Sequence, residues 1–138
     1  MSGNNELTVN AKLDALPQVL SFIDERLENA SCSPKAQMQI DIAAEEIFVN
    51  IAHYAYEHDD GSAVISVNIE GEPAEAVIEF KDHGKAFDPL AKADPDTTLS
   101  AEERQIGGLG IYMVKKSMDN VSYVYEGGQN ILTIRKKL

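Results

Sequence analysis

A glutamate and an asparagine stand four residues apart in Glu46-Ile-Phe-Val-Asn50. That spacing puts both on one side of a helix, one turn apart. Around them Ile40, Ala44, Ile47, Ile51 and Tyr54 recur at helical spacing and predict a face that packs on a sheet. Most of such a helix is buried, and a buried carboxylate or amide is costly unless something pairs with it. An amide oxygen suits Mg²⁺, which takes hard oxygen ligands and keeps several waters. A carboxylate near that ion can accept a proton from an attacking hydroxyl. A polar stripe satisfied at the helix edge is the alternative that spacing alone leaves open.

Two further groups have types and positions that fit the same chemistry. Gly107-Gly-Leu-Gly110 runs straight into the apolar-periodic Ile111-Tyr-Met-Val114. Glycines entering a helix let backbone N–H groups approach an anion at the positive end of the helix dipole. A hinge or tight turn would use the same residues, and no Gly-Lys-Ser/Thr follows to make a Walker loop. Asp82-His-Gly84 reads as a turn after a strand, except that strand parity points Asp82 toward the core. A carboxylate at the mouth of an apolar pocket can accept a hydrogen bond from an exocyclic amine such as that of adenine. Gly84 would let the backbone come close to the base. The histidines His53, His58 and His83 show no zinc spacing. His53, one turn beyond Asn50, reads as packing or hydrogen bonding near the site. No Gly-x-Ser-x-Gly elbow is present.

The elements that must position these residues follow from periodicity and turn signals. Glu6–Asn10 is β-prone and predicts an edge strand. Asp14 is expected to cap a helix carrying Leu16, Val19, Leu20, Ile23 and Leu27, with Pro17 tolerated in its first turn. Ser33-Pro34 reads as cap and first residue of the long helix bearing Glu46 and Asn50, which should fade around His58–Gly61. Alternation predicts strands over 64–70, with Ile65, Val67 and Ile69 inward, and over 76–82, with Ala76, Ile78 and Phe80 inward. From His83 to Ile106 turn residues and short helix formers alternate, a connection long enough to suggest a lid. A helix from the glycines and two strands, 121–125 and 131–135, close the chain, with Glu126–Asn130 as the hairpin loop.

Composition bounds the answer. The chain has 138 residues, 43% hydrophobic, which suits one globular domain. Its polar start is not a signal peptide, and no apolar run is long enough for a membrane span. A single cysteine, Cys32, excludes an internal disulfide and fits a reducing cytoplasm. The formal net charge of −11 argues against direct nucleic-acid binding, which relies on basic stripes that neutralise phosphate. The sole basic cluster, Arg135-Lys136-Lys137, reads as a solvated strand end.

In order, Glu46-x-x-x-Asn50, Asp82-x-Gly84 and Gly107-Gly-Leu-Gly110 resemble the three nucleotide-binding boxes of the GHKL ATPase superfamily. The fuller stretches Asp41–Asn50, Ala52–Tyr56, Asp82–Pro89 and Gly107–Asp119 are similar to the anti-sigma-factor serine/threonine kinases of bacterial partner switching, over nearly the whole chain. The resemblance implies a single Bergerat-type ATP-binding domain over 1–138. Its fold class is α+β: a two-layer α/β sandwich with a mixed, mostly antiparallel sheet covered on one face by helices. The resemblance implies ATP or ADP and Mg²⁺ as cofactors and Glu46 as catalytic base. Asn50 becomes the metal ligand, Asp82 and Gly84 the adenine contacts, and Gly107, Gly108, Leu109 and Gly110 the phosphate loop. The lid becomes residues 85–106, with Arg104 in reach of the γ-phosphate. Ala86 stands where the wider superfamily often has a second glycine. The implied partner is a STAS-domain anti-anti-sigma protein, with a sigma factor as a further partner and a homodimer as the assembly. A binding module with little turnover is the alternative.

Overall fold

The computed structural model describes residues 5–56, 61–86, 88–91 and 108–138. Strand β1 (Glu6–Asn10) opens the chain and helix α1 (Leu16–Asn29) follows. Asp14 does not cap α1. It lies in a short 3₁₀ turn, Leu13–Ala15, and Ala15 occupies the cap position without a side-chain bond. The turn itself provides acceptors, since Ala15 N–H donates to Lys12 O at 3.0 Å and Leu16 N–H to Leu13 O. Two of the backbone donors at this end are thereby served without a side chain.

Helix α2 (Pro34–Tyr54) starts as the sequence predicts, with Ser33 Oγ accepting from Ala36 N–H at 3.2 Å and Pro34 in the first turn. It ends at Tyr54, ahead of the expected fade, with Ala55 N–H bonded to Ile51 O. Strands β2 (Ser62–Glu70) and β3 (Glu75–Asp82) form a hairpin. Helix α3 (Gly108–Ser117) then leads into β4 (Asn120–Glu126) and β5 (Gln129–Lys137). The β4–β5 turn is only Gly127 and Gly128, with φ of 62° and 78°, a left-handed pair that residues with a Cβ adopt poorly. Gln129 and Asn130 therefore belong to β5, not to the loop.

The sheet order is β1-β2-β3-β5-β4, every neighbouring pair antiparallel. The last strand thus returns to the middle of the sheet, placing Asn130 opposite Asp82. Alternation sends Ala63, Ile65 and Val67, Ala76, Ile78 and Phe80, and Leu132 and Ile134 to one buried face. Val19, Ile23 and Leu27 of α1, Ile40, Ala44, Ile47 and Phe48 of α2, and Val114 of α3 join the same core. Each of the larger side chains here, valine, leucine, isoleucine and phenylalanine, contributes about 1.5–3 kcal/mol by leaving water. Ile69, expected inward, is 41% exposed at its strand end. The result is the α+β two-layer architecture that the sequence implies.

The α1–α2 seam carries an unusual pair. Asp24 Oδ1 and Asp41 Oδ1 are both buried with no hydrogen-bond partner. Burial pushes the Asp41 carboxyl up to about 7, and the neighbouring Asp24 and then Glu28 add to the rise.

Candidate functional site

A cleft opens between α2 and the strands, a concave and mostly apolar setting of the kind that takes small molecules. Ile47, Asn50, Ile51 and Ala55 of α2 form one wall, and Phe80 and Leu132 of the sheet form the floor. Pro89 and Ile111 close other sides. Asp82, Tyr123 and Asn130 supply the polar groups at the sheet side, and Asn50 supplies the one from α2.

At the sheet side each polar residue has protein partners. Asp82 is 4% and Asn130 6% exposed, so unpaired polar atoms there would be costly. Asp82 Oδ1 accepts from Gly84 N–H at 2.9 Å and from Asn130 Nδ2 at 2.9 Å. Asn130 Nδ2 also donates to Lys85 O at 2.8 Å, and Asn130 Oδ1 accepts the Tyr123 hydroxyl. Among the described residues no group donates to Asp82 Oδ2, which leaves one acceptor for a ligand. Gly84 is required by a close approach. A Cβ there would lie 2.5 Å from the Ala55 carbonyl carbon, and Lys85 N–H donates to that same carbonyl at 3.0 Å. The end of α2 and the end of β3 are thus joined directly. Tyr56 strengthens the joint, its hydroxyl accepting from His83 N–H at 2.8 Å and donating to Ser62 O at 2.7 Å.

The helix side differs. Asn50 is half-buried at the cleft, and Glu46 lies one turn earlier, also half-buried. Neither side chain makes a hydrogen bond or ion pair among the described residues. Burial, and then the adjacent Glu45, raise the Glu46 carboxyl above its ordinary value. An amide oxygen without a protein partner suits a hard cation that also holds phosphates. The described residues contain no group of three or more His, Cys, Asp or Glu able to cage a metal.

The structure therefore brings Asn50 and Asp82 to one cleft with Gly84 packed behind it. Gly108, Leu109 and Gly110 open α3, whose next residue, Ile111, lines the cleft. Gly107, Arg104 and most of the proposed lid lie outside the described residues. Asn130 and Tyr123 are site residues that the sequence reading passed over. The inward parity of Leu132 and Ile134, extended back by two residues, would have found Asn130.

The histidine kinase-like ATPase domain family matches residues 9–136. The chain is 25% identical over 133 residues to the serine-protein kinase RsbW of Listeria monocytogenes, covering 90% of this chain and 83% of that protein. It is 26% identical over 102 residues to the serine/threonine-protein kinase BtrW of Bordetella bronchiseptica, covering 74% and 71%. RsbW of Bacillus cereus is 28% identical over 95 residues, covering 66% and 58%. No helix among the described residues is long and apolar enough to cross a membrane. With a family match over almost its full length and a cleft between α2 and β3, the chain belongs to the histidine kinase-like ATPase domain family, of the GHKL type.

Proposed function

We propose that the chain is an ATP- and Mg²⁺-dependent protein serine/threonine kinase and anti-sigma regulatory factor. Its substrate is a STAS-type anti-anti-sigma protein in a cytoplasmic partner-switching pathway. The observation that carries this reading is Glu46, a half-buried carboxylate raised by burial and by Glu45, with no cationic partner among the described residues, one turn from Asn50. The relatives are a serine-protein kinase and a serine/threonine-protein kinase by name, which supports the same direction.

In this reading Asp82 accepts a hydrogen bond from the base amine, with Gly84 beside it, and the glycines from Gly107 to Gly110 hold the phosphates at the start of α3. Asn50 would hold Mg²⁺ through its amide oxygen, and such an ion would supply positive charge against the transferring phosphoryl group. Arg104 serves the γ-phosphate from the lid. The partner's hydroxyl oxygen bonds to the γ-phosphorus as the bridging P–O bond breaks. The hydroxyl proton passes to Glu46 and ADP leaves. A raised carboxyl pKa suits that task, because a base is most effective when its pKa approaches the working pH.

A second reading is a nucleotide-regulated binding module, a homodimer that sequesters a sigma factor with little turnover. One observation favours a protein-docking role: Met38 and Ile42, one turn apart on the helix bearing Glu46, are 58% and 59% exposed. Incubation with γ-labelled ATP, Mg²⁺ and a STAS-domain protein tests the pair. The kinase reading expects label on a serine or threonine of the STAS protein. Stable complex formation without label would leave only the binding module.

A further inference from the structure

Asp82 and Asn130 face each other across β3 and β5, and with Ser66 they are the buried polar residues among those described. A carboxylate with two open oxygens can accept from two neighbouring donors at once. Guanine offers such a pair, its ring N–H and its exocyclic amine, whereas the adenine edge offers one amine. Here Oδ1 of Asp82 is already filled by Gly84 N–H and Asn130 Nδ2, each at 2.9 Å. Only Oδ2 remains. Asn130 cannot reverse its amide without cost. Its Nδ2 faces the Asp82 carboxylate and the carbonyls of Lys85 at 2.8 Å and Gly84 at 3.5 Å. A reversed amide would set oxygen against all of these acceptors, and only the Tyr123 hydroxyl now bonded to Oδ1 could adapt, by accepting instead of donating.

We infer that Asn130, locked by Tyr123, is a positioning residue that sets purine selectivity by occupying one oxygen of Asp82 and leaving a single acceptor. The pocket then takes a 6-aminopurine nucleotide and disfavours one that presents two adjacent donors. Such selectivity comes from denying the wrong base its partners as much as from serving the right one. The inference rests on the nucleotide-site reading above and adds to it the residues that choose the base.

Calorimetric titration of the native chain, Asn130→Ala and Tyr123→Phe with ADP and with GDP tests it, with thermal melts confirming that each variant is folded. Asn130→Ala should cut the ADP-to-GDP affinity ratio about tenfold or more, the scale of one hydrogen bond to a charged group. Tyr123→Phe, which removes only the hydroxyl, should move the ratio the same way by a smaller factor. It keeps the test available if Asn130→Ala does not fold. An unchanged ratio in a folded variant overturns the inference, even where Asp82→Ala abolishes ADP binding. If Asp82→Ala instead binds ADP as tightly as the native chain, the nucleotide-site reading itself fails.

Discussion

The two sides of the cleft are built on opposite plans. On the sheet side Asp82, Asn130, Tyr123, Gly84 and Lys85 form a network in which one carboxylate oxygen remains for a ligand. On the helix side Asn50 lines the cleft and Glu46 lies one turn before it, outside the lining, both half-buried with no protein partner among the described residues. A satisfied network rigidifies the groups it holds, and so suits the recognition of a fixed shape. Unpaired polar groups cost stability, and so suit ligands and protons that come and go. Under the proposed function, the difference gives binding to one side and chemistry to the other.

The largest expected effect would separate the two. Glu46→Gln should slow phosphate transfer roughly 10²–10⁴-fold, the usual range for a general base, while calorimetry shows ADP affinity unchanged. In the native chain the transfer rate should rise with pH through a limb lying above the ordinary glutamate range, because burial and Glu45 raise Glu46. A variant that keeps the native rate would dissolve the division. On the sheet side, Asp82→Ala removes the acceptor and strands the Asn130 amide. ADP affinity should fall by about 1.5–3 kcal/mol, the scale of a hydrogen bond to a charged group, and urea unfolding should show a loss of stability as well. The helix-side variant should show no such loss.

Gly84→Ala probes the joint between the sides. Its Cβ would meet the Ala55 carbonyl, which is backbone and cannot swing away, so denaturation should register a loss of about 1–3 kcal/mol from overpacking. The smallest effect belongs to the α1–α2 seam. Asp41 is raised to about 7 in the folded chain, so the folded state holds a proton that the unfolded state has released. Stability conferred by that proton is present at low pH and is lost as pH climbs from the ordinary aspartate range to about 7. Asp41→Asn should gain on the native chain over that window and hold a constant advantage above it. Melting midpoints across pH would show it.

How legible each side was in the sequence follows from the range of its interactions. Glu46 and Asn50 are four residues apart on one helix, and Ser33-Pro34 marks where that helix begins. All of this is local, and periodicity exposes it. Asp82 was legible through strand parity. Its partner was not, because Asn130 lies 48 residues away and is brought opposite only when β5 returns to pair with β3. The hairpin misled for a related reason. Glu126-Gly-Gly-Gln-Asn130 has the composition of a loop, yet two glycines suffice to turn the chain. Asp14 failed as a cap because the preceding backbone supplies its own acceptors, something residue type alone does not disclose.

The Gly127–Gly128 turn has no chemistry of its own, yet it governs what the pocket contains. A surface turn is ordinarily where a chain absorbs length variation most readily. Here an inserted residue that shifted the β4–β5 pairing by one step would turn Tyr123, on the edge strand β4, to the opposite face, while β3 keeps Asn130 in register. The Asn130 amide would then lose the hydroxyl that fixes it. Relatives with longer tips at this hairpin should therefore be expected to compensate within the strand or to differ in the base they accept, a dependence on loop length that no comparison of binding residues alone would reveal.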